Sequence, residues 1–487
     1  MFEGDLLTER ARITPDKLAL VSVETGERLT YAQLNARSES AAAAVVAAGV
    51  AAGDRIGILG FNSVDFIALF FGSIKCGAIA VPMSTRATTH ELQAIARDCT
   101  MTAIWYGEGF ESIAQSPGIP ARPFADLRGG GGGARVEGSD DAIACLLYTS
   151  GTTGKPKGVM IPRRQLLWNG YNTVINWGLR EDDVSPVFTP IYHAGGVAAF
   201  MIPIFCAGGT IVLHKSFDTG EVWRTIEKEC CTVVLGVPTI WKILLDAPEL
   251  ATAKLDSVRW FISGGAPLPA FIAEAYRKRG IPLRQGYGLT EAGVNCFTMT
   301  SEDAARKAGS IGRPMMFTQV KLLDSDDREV AVGEVGEMYI RGPHVSAGYW
   351  QNEEETAAAY LPNGWFKTGD LARRDEDGFF YVTGRAKDMF ISGGVNVYPA
   401  EIEGELLHHP AVRDAAVVSI PDDTWGEAGI AFVVGHGVSA DDLTAFLAER
   451  IAKYKLPKQF VFVDHLPRSP YGKVEKVKLR ALVGAAS

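Results

Sequence analysis

Residues Tyr148 to Val159, YTSGTTGKPKGV, have the composition of a loop that binds phosphate groups. Such a loop offers backbone N–H groups, hydroxyl donors and lysine cations, which together suit a polyphosphate. The residues with this potential are Thr149, Ser150, Gly151, Thr152, Thr153, Gly154 and Lys155. The usual P-loop needs Ser or Thr after its Gly-Lys pair, but Pro156 follows here, which excludes a plain P-loop kinase.

Several further motifs follow this loop along the chain. They are ISGGAPL (Ile262 to Leu268), QGYGLTE (Gln285 to Glu291), WFKTGD (Trp365 to Asp370), GRAKDMFISGGVNVYPAEIE (Gly384 to Glu403) and SPYGKVEK (Ser469 to Lys476). With the loop, and in this order, they resemble the adenylate-forming superfamily of acyl-CoA and aryl-CoA synthetases, peptide-synthetase adenylation domains and luciferases. The resemblance covers nearly the whole chain. It implies that a carboxylate attacks the α-phosphate of ATP, that pyrophosphate leaves, and that a thiol then displaces AMP from the acyl-adenylate.

The resemblance also implies which residues bind the nucleotide. Thr290 contacts phosphate, and Glu291 helps to hold Mg²⁺, a hard cation that carboxylates suit. Tyr287 stacks on adenine. Asp370 accepts from the 2′- and 3′-hydroxyls of the ribose, and Arg385 is a second nucleotide contact. The other nucleotide-binding positions are backbone groups of Gly264, Gly265, Ala266, Gly286 and Gly288.

Two lysines match the movable part of the superfamily. Lys387 falls at the hinge about which a small domain rotates between an adenylating and a thioester-forming pose. Lys473 matches the catalytic lysine, whose ammonium group neutralises charge between the carboxylate and the α-phosphate in the transition state. Two residues before Lys473, Tyr471 replaces the Thr that is common in the superfamily.

The acid pocket is expected around His193, in the segment TPIYHAGGV. By resemblance, His193 borders the bound carboxylate as a wall or gate, and a general base is not required because the acid is already ionised at neutral pH. The other lining residues are Tyr192, Val197, Val237 and Val294, together with Gly286 and Gly288. These apolar or small residues favour a hydrophobic acid, aryl or medium-chain aliphatic.

The thiol acceptor is expected to be coenzyme A. Gly393 and Gly394 match glycines that flank the pantetheine tunnel, and Trp425 matches an aromatic residue that lines it in aryl-CoA ligases. A carrier-protein thiol stays open as the alternative acceptor. An amino-acid-activating domain is disfavoured because YHAGGVAAFMIPIF, from Tyr192 to Phe205, has no Asp to hold an ammonium group. Luciferase-type oxidation is not excluded by any motif.

Strand-then-helix units must position these residues. Arg55 to Leu59 reads as a strand, Ser63 caps a helix that ends at Gly77, and Thr88 with Glu91 has capping-box spacing before a second helix. Further units surround TVVLGVP and VRWFISGG. The pattern predicts a large α/β domain with mainly parallel sheets over residues 1–386. Shorter mixed units over residues 387–487 predict a smaller α+β domain, and the resemblance implies that this domain is mobile.

Composition excludes several classes of protein. A net charge of −9 argues against a nucleic-acid surface, and seven scattered cysteines indicate reduced thiols in the cytoplasm. The N-terminus lacks the apolar segment of a signal peptide. Val184 to Leu213 has no charged side chain, but its prolines and Gly-Gly pairs predict buried core and no integral membrane segment. A homodimer is left open.

Overall fold

A computed structural model describes residues 5–128, 136, 138–150, 156–392, 395–422, 426–468 and 474–484. The chain divides into two compact units. The first comprises Met1–Leu268, Ile272–Val320 and Ile340–Phe366, and the second comprises Pro269–Phe271, Lys321–Tyr339 and Lys367–Ser487. These units are defined by the contacts within each of them and not by motion. The predicted domain boundary after residue 386 therefore stays a prediction.

Helices and strands alternate through the first part of the chain. In order they are α1 (Leu6–Ile13), β1 (Leu18–Ser22), β2 (Arg28–Thr30), α2 (Tyr31–Ala47), β3 (Arg55–Leu59), α3 (Val64–Cys76), β4 (Ile79–Met83), α4 (Thr89–Asp98), β5 (Ala103–Tyr106), α5 (Glu111–Gln115), β6 (Ala121–Pro123), β7 (Ile143–Ser150), β8 (Pro156–Pro162) and α6 (Arg163–Trp177). A single 3₁₀ turn, Phe124–Leu127, follows β6.

The alternation continues through the middle of the chain. The elements are β9 (Val184–Val187), α7 (Ala194–Gly196), a π-helical turn (Val197–Met201), α8 (Ile202–Ala207), β10 (Thr210–Leu213), α9 (Thr219–Lys228), β11 (Val233–Gly236), α10 (Pro238–Asp246), a 3₁₀ turn (Pro248–Ala251), β12 (Trp260–Ser263), α11 (Ala270–Lys278), β13 (Leu283–Gln285), β14 (Phe297–Thr298), α12 (Ser301–Arg306) and β15 (Arg313–Pro314).

The last part of the chain is richer in antiparallel strands. Its elements are β16 (Gln319–Leu323), β17 (Val335–Arg341), α13 (Glu353–Ala359), β18 (Phe366–Arg374), β19 (Phe380–Arg385), β20 (Phe390–Ser392), β21 (Val395–Val397), α14 (Pro399–Leu406), β22 (Val412–Asp422), β23 (Gly426–Gly435), α15 (Ala440–Ala448), a 3₁₀ turn (Lys453–Lys455), β24 (Gln459–Phe462) and α16 (Lys476–Gly484).

The largest sheet among the described residues has the strand order β6-β5-β3-β4-β7-β8. Its neighbours run parallel except for the antiparallel hairpin of β7 and β8, which flanks the predicted phosphate loop. Helix α3 begins where Ser63 Oγ accepts from Phe66 N at 3.1 Å and ends at Gly77, which has a φ of +76° that suits glycine. The capping box of Thr88 and Glu91 is also present, so both predicted helix starts are confirmed.

Two further sheets of the first unit confirm the prediction of mainly parallel pairing. In one, β1, β10 and β9 are parallel and β2 pairs antiparallel with β1. In the other, β11, β12 and β13 are all parallel. The uncharged stretch Val184 to Leu213 folds as β9, α7, the π-helical turn, α8 and β10. No helix in the described part of the chain is long and apolar enough to cross a membrane.

The second unit contains a sheet of order β21-β20-β23-β22, with β24 parallel to β23. Successive residues of a strand point to opposite faces, and here each face has its own apolar cluster. Val417 and Val433 pack with α14 and α15, whereas Val418 and Phe432 pack with Leu466 and Leu479. Helices on both faces of a mostly antiparallel sheet confirm the predicted α+β class for this part of the chain.

Candidate active site

Three parallel strands of the first unit end together and carry several predicted site residues. Gly236 at the end of β11 pairs with Ser263 of β12, which pairs with Gln285 of β13. The pairing continues one residue further, because Gly264 N donates to Gly236 O at 3.1 Å and Gly286 N donates to Ser263 O at 2.7 Å. Val237, Gly264 and Gly286 therefore meet at the carboxyl edge of this sheet, where open α/β sheets bind their ligands.

The glycines at this edge leave room beside the sheet. A side chain added at Gly264 would meet no atom within 4 Å. Gly265 has a φ of +81°, and a side chain there would meet only Val237, at 3.6 Å. Tyr287 is half-buried and packs edge-on against Phe297, with the ring centroids 5.5 Å apart. An open glycine surface and a fixed aromatic ring fit the predicted adenine site.

The loop from Gly286 to Cys296 holds Thr290 and Glu291 in place. A side chain at Gly288 would lie 2.3 Å from Val294 O, so only glycine allows the loop to close there. Cys296 N donates to Tyr287 O at 2.9 Å, and Gln165 Nε2 donates to Thr290 O at 2.9 Å. Both residues of the predicted phosphate and metal contact therefore lie on a braced loop.

Glu291 is held from two directions. Its carbonyl accepts from Ser346 N at 2.8 Å, and its Oε1 accepts from the hydroxyl of Tyr349 at 3.3 Å. The residue is half-buried, with a carboxylate whose chemistry suits Mg²⁺. The donor type and its fixed position fit the predicted metal contact.

His193 begins a short helix next to a small cavity. Its Nδ1 accepts from Gly195 N at 3.1 Å, so the tautomer with hydrogen on Nε2 is favoured. Asn62 braces the preceding turn, accepting from Ile191 N at 2.9 Å and donating to Thr189 O at 3.0 Å. The cavity is lined by Leu147, Ile161, Gln165, Leu166, Asn169, Ala194, Ala198, Thr290, Gly293 and Val294. It thus joins the His193 segment to Thr290 and Val294, but Tyr192, Val197 and Val237 are not among its lining residues.

The wall beyond Gly286 is apolar. A side chain added at Gly286 would meet Ile262 Cδ1 at 3.3 Å and Trp177 Cζ2 at 3.6 Å. Trp177 is buried, donates from its indole N–H to Phe297 O, and packs against Phe200 and Trp260. Tyr192 and Val197 are buried as well. The side chains that a substituent at Gly286 would meet are therefore hydrophobic.

The predicted ribose contacts lie in the second unit. Asp370 and Arg385 face each other across the antiparallel pair of β18 and β19, with Arg385 Nε 2.6 Å from Asp370 Oδ1. Asp370 N also donates to Thr368 Oγ1 at 3.0 Å. Asp370 is buried, so its carboxylate has a defined direction. Lys387 is exposed in the turn after β19, where Asp388 N and Met389 N both donate to Arg385 O.

Several predicted residues lie outside the described residues. They are Gly151, Thr152, Thr153, Gly154, Lys155, Gly393, Gly394, Trp425 and Lys473. Ser150 is described only by its backbone, which pairs with Pro156 at the end of the β7–β8 hairpin, just as Thr149 pairs with Lys157. The roles of all these residues stay predictions.

Sequence reasoning missed the residues that brace the loop. Gln165 lies on α6, and Tyr349 lies between β17 and α13, outside the named strands. Lys157 belongs to the quoted phosphate loop, yet it forms an ion pair with Glu355 and lies 5.5 Å from the ring centroid of Tyr349. The dipeptide Gly348-Tyr349 next to Trp350 was a weak signal, because an aromatic pair after a glycine is more often core than site.

Comparison with known proteins gives the family. A family model described as AMP-binding enzyme matches residues 7–350, and its C-terminal-domain counterpart matches residues 401–473. The chain belongs to the AMP-binding enzyme family. As an AMP-binding enzyme it carries both parts that the superfamily resemblance implied, and the predicted family and fold class are confirmed.

Curated relatives of this AMP-binding enzyme include CoA ligases. It is 39% identical to a feruloyl-CoA synthase from Amycolatopsis sp over 495 residues, with 99% of each chain covered. It is 38% identical to the long-chain-fatty-acid–CoA ligase FadD13 from Mycobacterium tuberculosis, covering 98% of this chain and 97% of that protein. The predicted class of enzyme, an acid–thiol ligase, is confirmed at this level, whereas the acid is not determined.

Solved structures agree with this placement. The o-succinylbenzoate CoA synthetase MenE from Bacillus subtilis, in complex with its acyl-adenylate intermediate, is 33% identical, covers 98% of each chain and has a TM-score of 0.91. The same protein with ATP and magnesium ion has a TM-score of 0.90. The expectation of ATP, Mg²⁺ and coenzyme A as cofactors is thereby confirmed for the family to which this AMP-binding enzyme belongs.

Proposed function

We propose that this protein is an AMP-forming acid–CoA ligase that activates a hydrophobic carboxylic acid, aryl or medium-chain aliphatic. The observation that carries the proposal is the meeting of Val237, Gly264 and Gly286 at the carboxyl ends of three parallel strands, beside an apolar wall. An open edge made of glycines accepts a flat ring and a chain of phosphates, and the wall beyond Gly286 accepts an apolar acyl group.

In the first half-reaction, the acid carboxylate attacks the α-phosphate of ATP and pyrophosphate leaves. Thr149 to Lys155 would bind the leaving phosphates, Tyr287 would stack on adenine, and Asp370 with Arg385 would orient the ribose. Lys473 would neutralise the charge that develops between the carboxylate and the α-phosphate. Mg²⁺ would supply charge neutralisation at the phosphate oxygens when bound, and Glu291 would hold it.

In the second half-reaction, the thiol of coenzyme A attacks the acyl carbonyl carbon and AMP leaves. Gly393, Gly394 and Trp425 would line the path of the pantetheine arm, and Lys387 would serve as the hinge between the two poses. His193 would border the carboxylate, in an orientation set by Gly195 N, which donates to its Nδ1. We also propose a cytoplasmic location, in keeping with seven free cysteines.

The acid and the acceptor are tested together. Release of AMP and pyrophosphate is measured with Mg·ATP against a panel of aryl, medium-chain and short polar acids, with and without coenzyme A. The proposal predicts a CoA thioester and AMP with one hydrophobic class, and little turnover with acetate or a dicarboxylate. Acid-dependent pyrophosphate release without a thioester would contradict coenzyme A as acceptor and favour a carrier-protein thiol.

A further inference from the structure

The segment from Ser346 to Trp350 connects Glu291 to the hairpin that carries the phosphate loop. At its start, Ser346 N donates to Glu291 O at 2.8 Å. At its end, Trp350 N donates to Gly158 O at 2.8 Å, and Tyr349 forms an antiparallel bridge with Val159 of β8. The segment therefore acts as a short extra strand beside β8, and it holds the backbone of the Glu291 loop against that hairpin.

The side chain of Tyr349 makes a second connection within the same segment. Its hydroxyl donates to Glu291 Oε1 at 3.3 Å, so one short segment fixes both the backbone and the carboxylate of Glu291. A half-buried carboxylate has several rotamers of similar energy unless a neighbour selects one. A tyrosine hydroxyl donor at one oxygen leaves the lone pairs of the other oxygen for a cation.

Tyr349 is itself fixed from several sides. Its ring packs edge-on against Tyr360 at a centroid distance of 5.8 Å, and the ammonium of Lys157 lies 5.5 Å from its centroid. Lys157 is paired with the carboxylate of Glu355, and the backbone N of Tyr349 donates to Thr356 Oγ1 at 3.0 Å. The ring therefore has little freedom, and its hydroxyl is aimed at Glu291.

The simpler explanation is that Tyr349 is a packing residue whose hydroxyl found an acceptor nearby. Tyr360 shows what that arrangement looks like, because its ring lies in the same cluster and its hydroxyl bonds Ser346 Oγ at 2.6 Å. Tyr349 differs in bonding the one carboxylate of this cluster that has a predicted metal role. The two tyrosines thus form a matched pair for an experiment.

We propose that Tyr349 is a positioning residue that sets the orientation of the Glu291 carboxylate for a nucleotide-bound divalent cation, and that the Lys157–Glu355 pair holds the Tyr349 ring. The inference rests on the proposed role of Glu291 in Mg²⁺ binding. Outer neighbours that orient a metal-binding carboxylate commonly change metal affinity by about 10–100-fold when removed.

The test compares Tyr349→Phe with Tyr360→Phe. Calorimetric titration measures the affinity for ATP in excess Mg²⁺ and in EDTA, and thermal melting checks the fold of each variant. We expect Tyr349→Phe to weaken Mg·ATP binding roughly tenfold, the low end of that range, and to leave metal-free ATP binding unchanged. Tyr360→Phe should stay within about twofold of wild type under both conditions, since the hydroxyl of Tyr360 bonds Ser346 Oγ.

Three results would overturn the inference. Tyr349→Phe could bind Mg·ATP like wild type, or it could lose affinity equally with and without Mg²⁺, which would indicate a packing role. If Tyr349→Phe fails to fold, Glu355→Gln is used instead, because it removes the partner of the lysine that lies over the Tyr349 ring. Unchanged Mg·ATP affinity of Glu355→Gln would also overturn the inference. If the wild-type protein does not bind Mg·ATP at all, the proposed function itself is refuted. A difference between the variants tests only the role of Tyr349.

Discussion

Arg385 and Asp370 form an ion pair that is built into the backbone pairing of β18 and β19. The two residues are direct partners in the antiparallel register, and Arg385 Nε donates to Asp370 Oδ1 at 2.6 Å. The side chain of Asp370 is 6% exposed, whereas that of Arg385 is 37% exposed. Arg385 therefore orients the buried carboxylate of Asp370 by bonding one of the two carboxylate oxygens.

Asp370→Asn tests whether this carboxylate binds the ribose. A hydrogen bond to a charged group contributes about 1.5–3 kcal/mol, so we expect ATP to bind roughly tenfold to hundredfold more weakly. The wild type should discriminate against 2′-deoxy-ATP, and the variant should lose most of that discrimination. The control is Lys367→Gln, because Lys367 lies on β18 with Asp370 but forms a more exposed ion pair, with Glu337 of β17. Equal weakening of both nucleotides would contradict a contact to the 2′-hydroxyl.

Gly286→Ala tests the apolar wall of the acid pocket. The added methyl group would lie 3.3 Å from Ile262 and 3.6 Å from Trp177, so it would fill space that we assign to the acyl group. One methyl group in such a pocket changes selectivity by about 1–3 kcal/mol, and we expect at least a tenfold loss of kcat/KM for the bulkiest accepted acid relative to the smallest. Gly404→Ala, whose methyl group meets nothing within 4 Å, should leave selectivity unchanged. An equal loss of kcat/KM for all acids would contradict the assignment of Gly286 to the wall of the acid pocket.

His344 should make the stability of the protein depend on pH. Burial lowers its pKa, and the neutral ring bonds Thr318 Oγ1 at 2.9 Å and Ala292 O at 2.5 Å. Because the folded pKa lies below the unfolded value of about 6.5, the stabilisation is complete above that value and is lost as the pH falls below it. Wild type should therefore exceed His344→Asn in urea midpoint at pH 8, and the difference should shrink at pH 5.5. A difference independent of pH would contradict a neutral buried imidazole.

Lys473→Ala tests the catalytic lysine implied by SPYGKVEK, whose first five residues lie outside the described part of the chain. We expect the rate of acid-dependent pyrophosphate release to fall at least about a hundredfold, because the loss of one group that stabilises transition-state charge commonly has an effect of this size. Thioester formation from a supplied acyl-adenylate should survive. Lys478→Ala, on α16 and paired with Glu475 at 2.5 Å, should change neither step. Equal loss of both steps in Lys473→Ala would refute the assigned role.

Local signals in the sequence located many of the elements that carry the site. The helix from Val64 to Cys76 could be predicted because Ser63 and Gly77 satisfy its terminal groups through neighbouring residues. The same holds for Thr88 and Glu91 and for α14, whose Pro399 stands at the start of the helix. Each of these signals acts within a few residues, so no knowledge of the tertiary fold is needed.

The rest depends on contacts between distant parts of the chain. The extra strand around Tyr349 pairs with Val159, which lies 190 residues earlier, and nothing in the local sequence marks that partner. The ion pair between Lys157 and Glu355 could not be predicted either, because the two residues lie far apart in the sequence. The sequence had placed this lysine in a phosphate loop. Resemblance supplied Asp370 as a ribose contact, but the ion pair with Arg385 depends on the register of β18 and β19.

In the proposed reaction, the acid is activated as an acyl-adenylate before a thiol accepts the acyl group. An accepted acid labelled with ¹⁸O in both carboxylate oxygens is incubated with ATP, Mg²⁺ and coenzyme A, and AMP and the thioester are analysed by mass spectrometry. We expect one ¹⁸O in AMP and one in the thioester, because the oxygen that bonds the α-phosphate leaves with AMP. Formation of ADP, or of AMP without label, would contradict it.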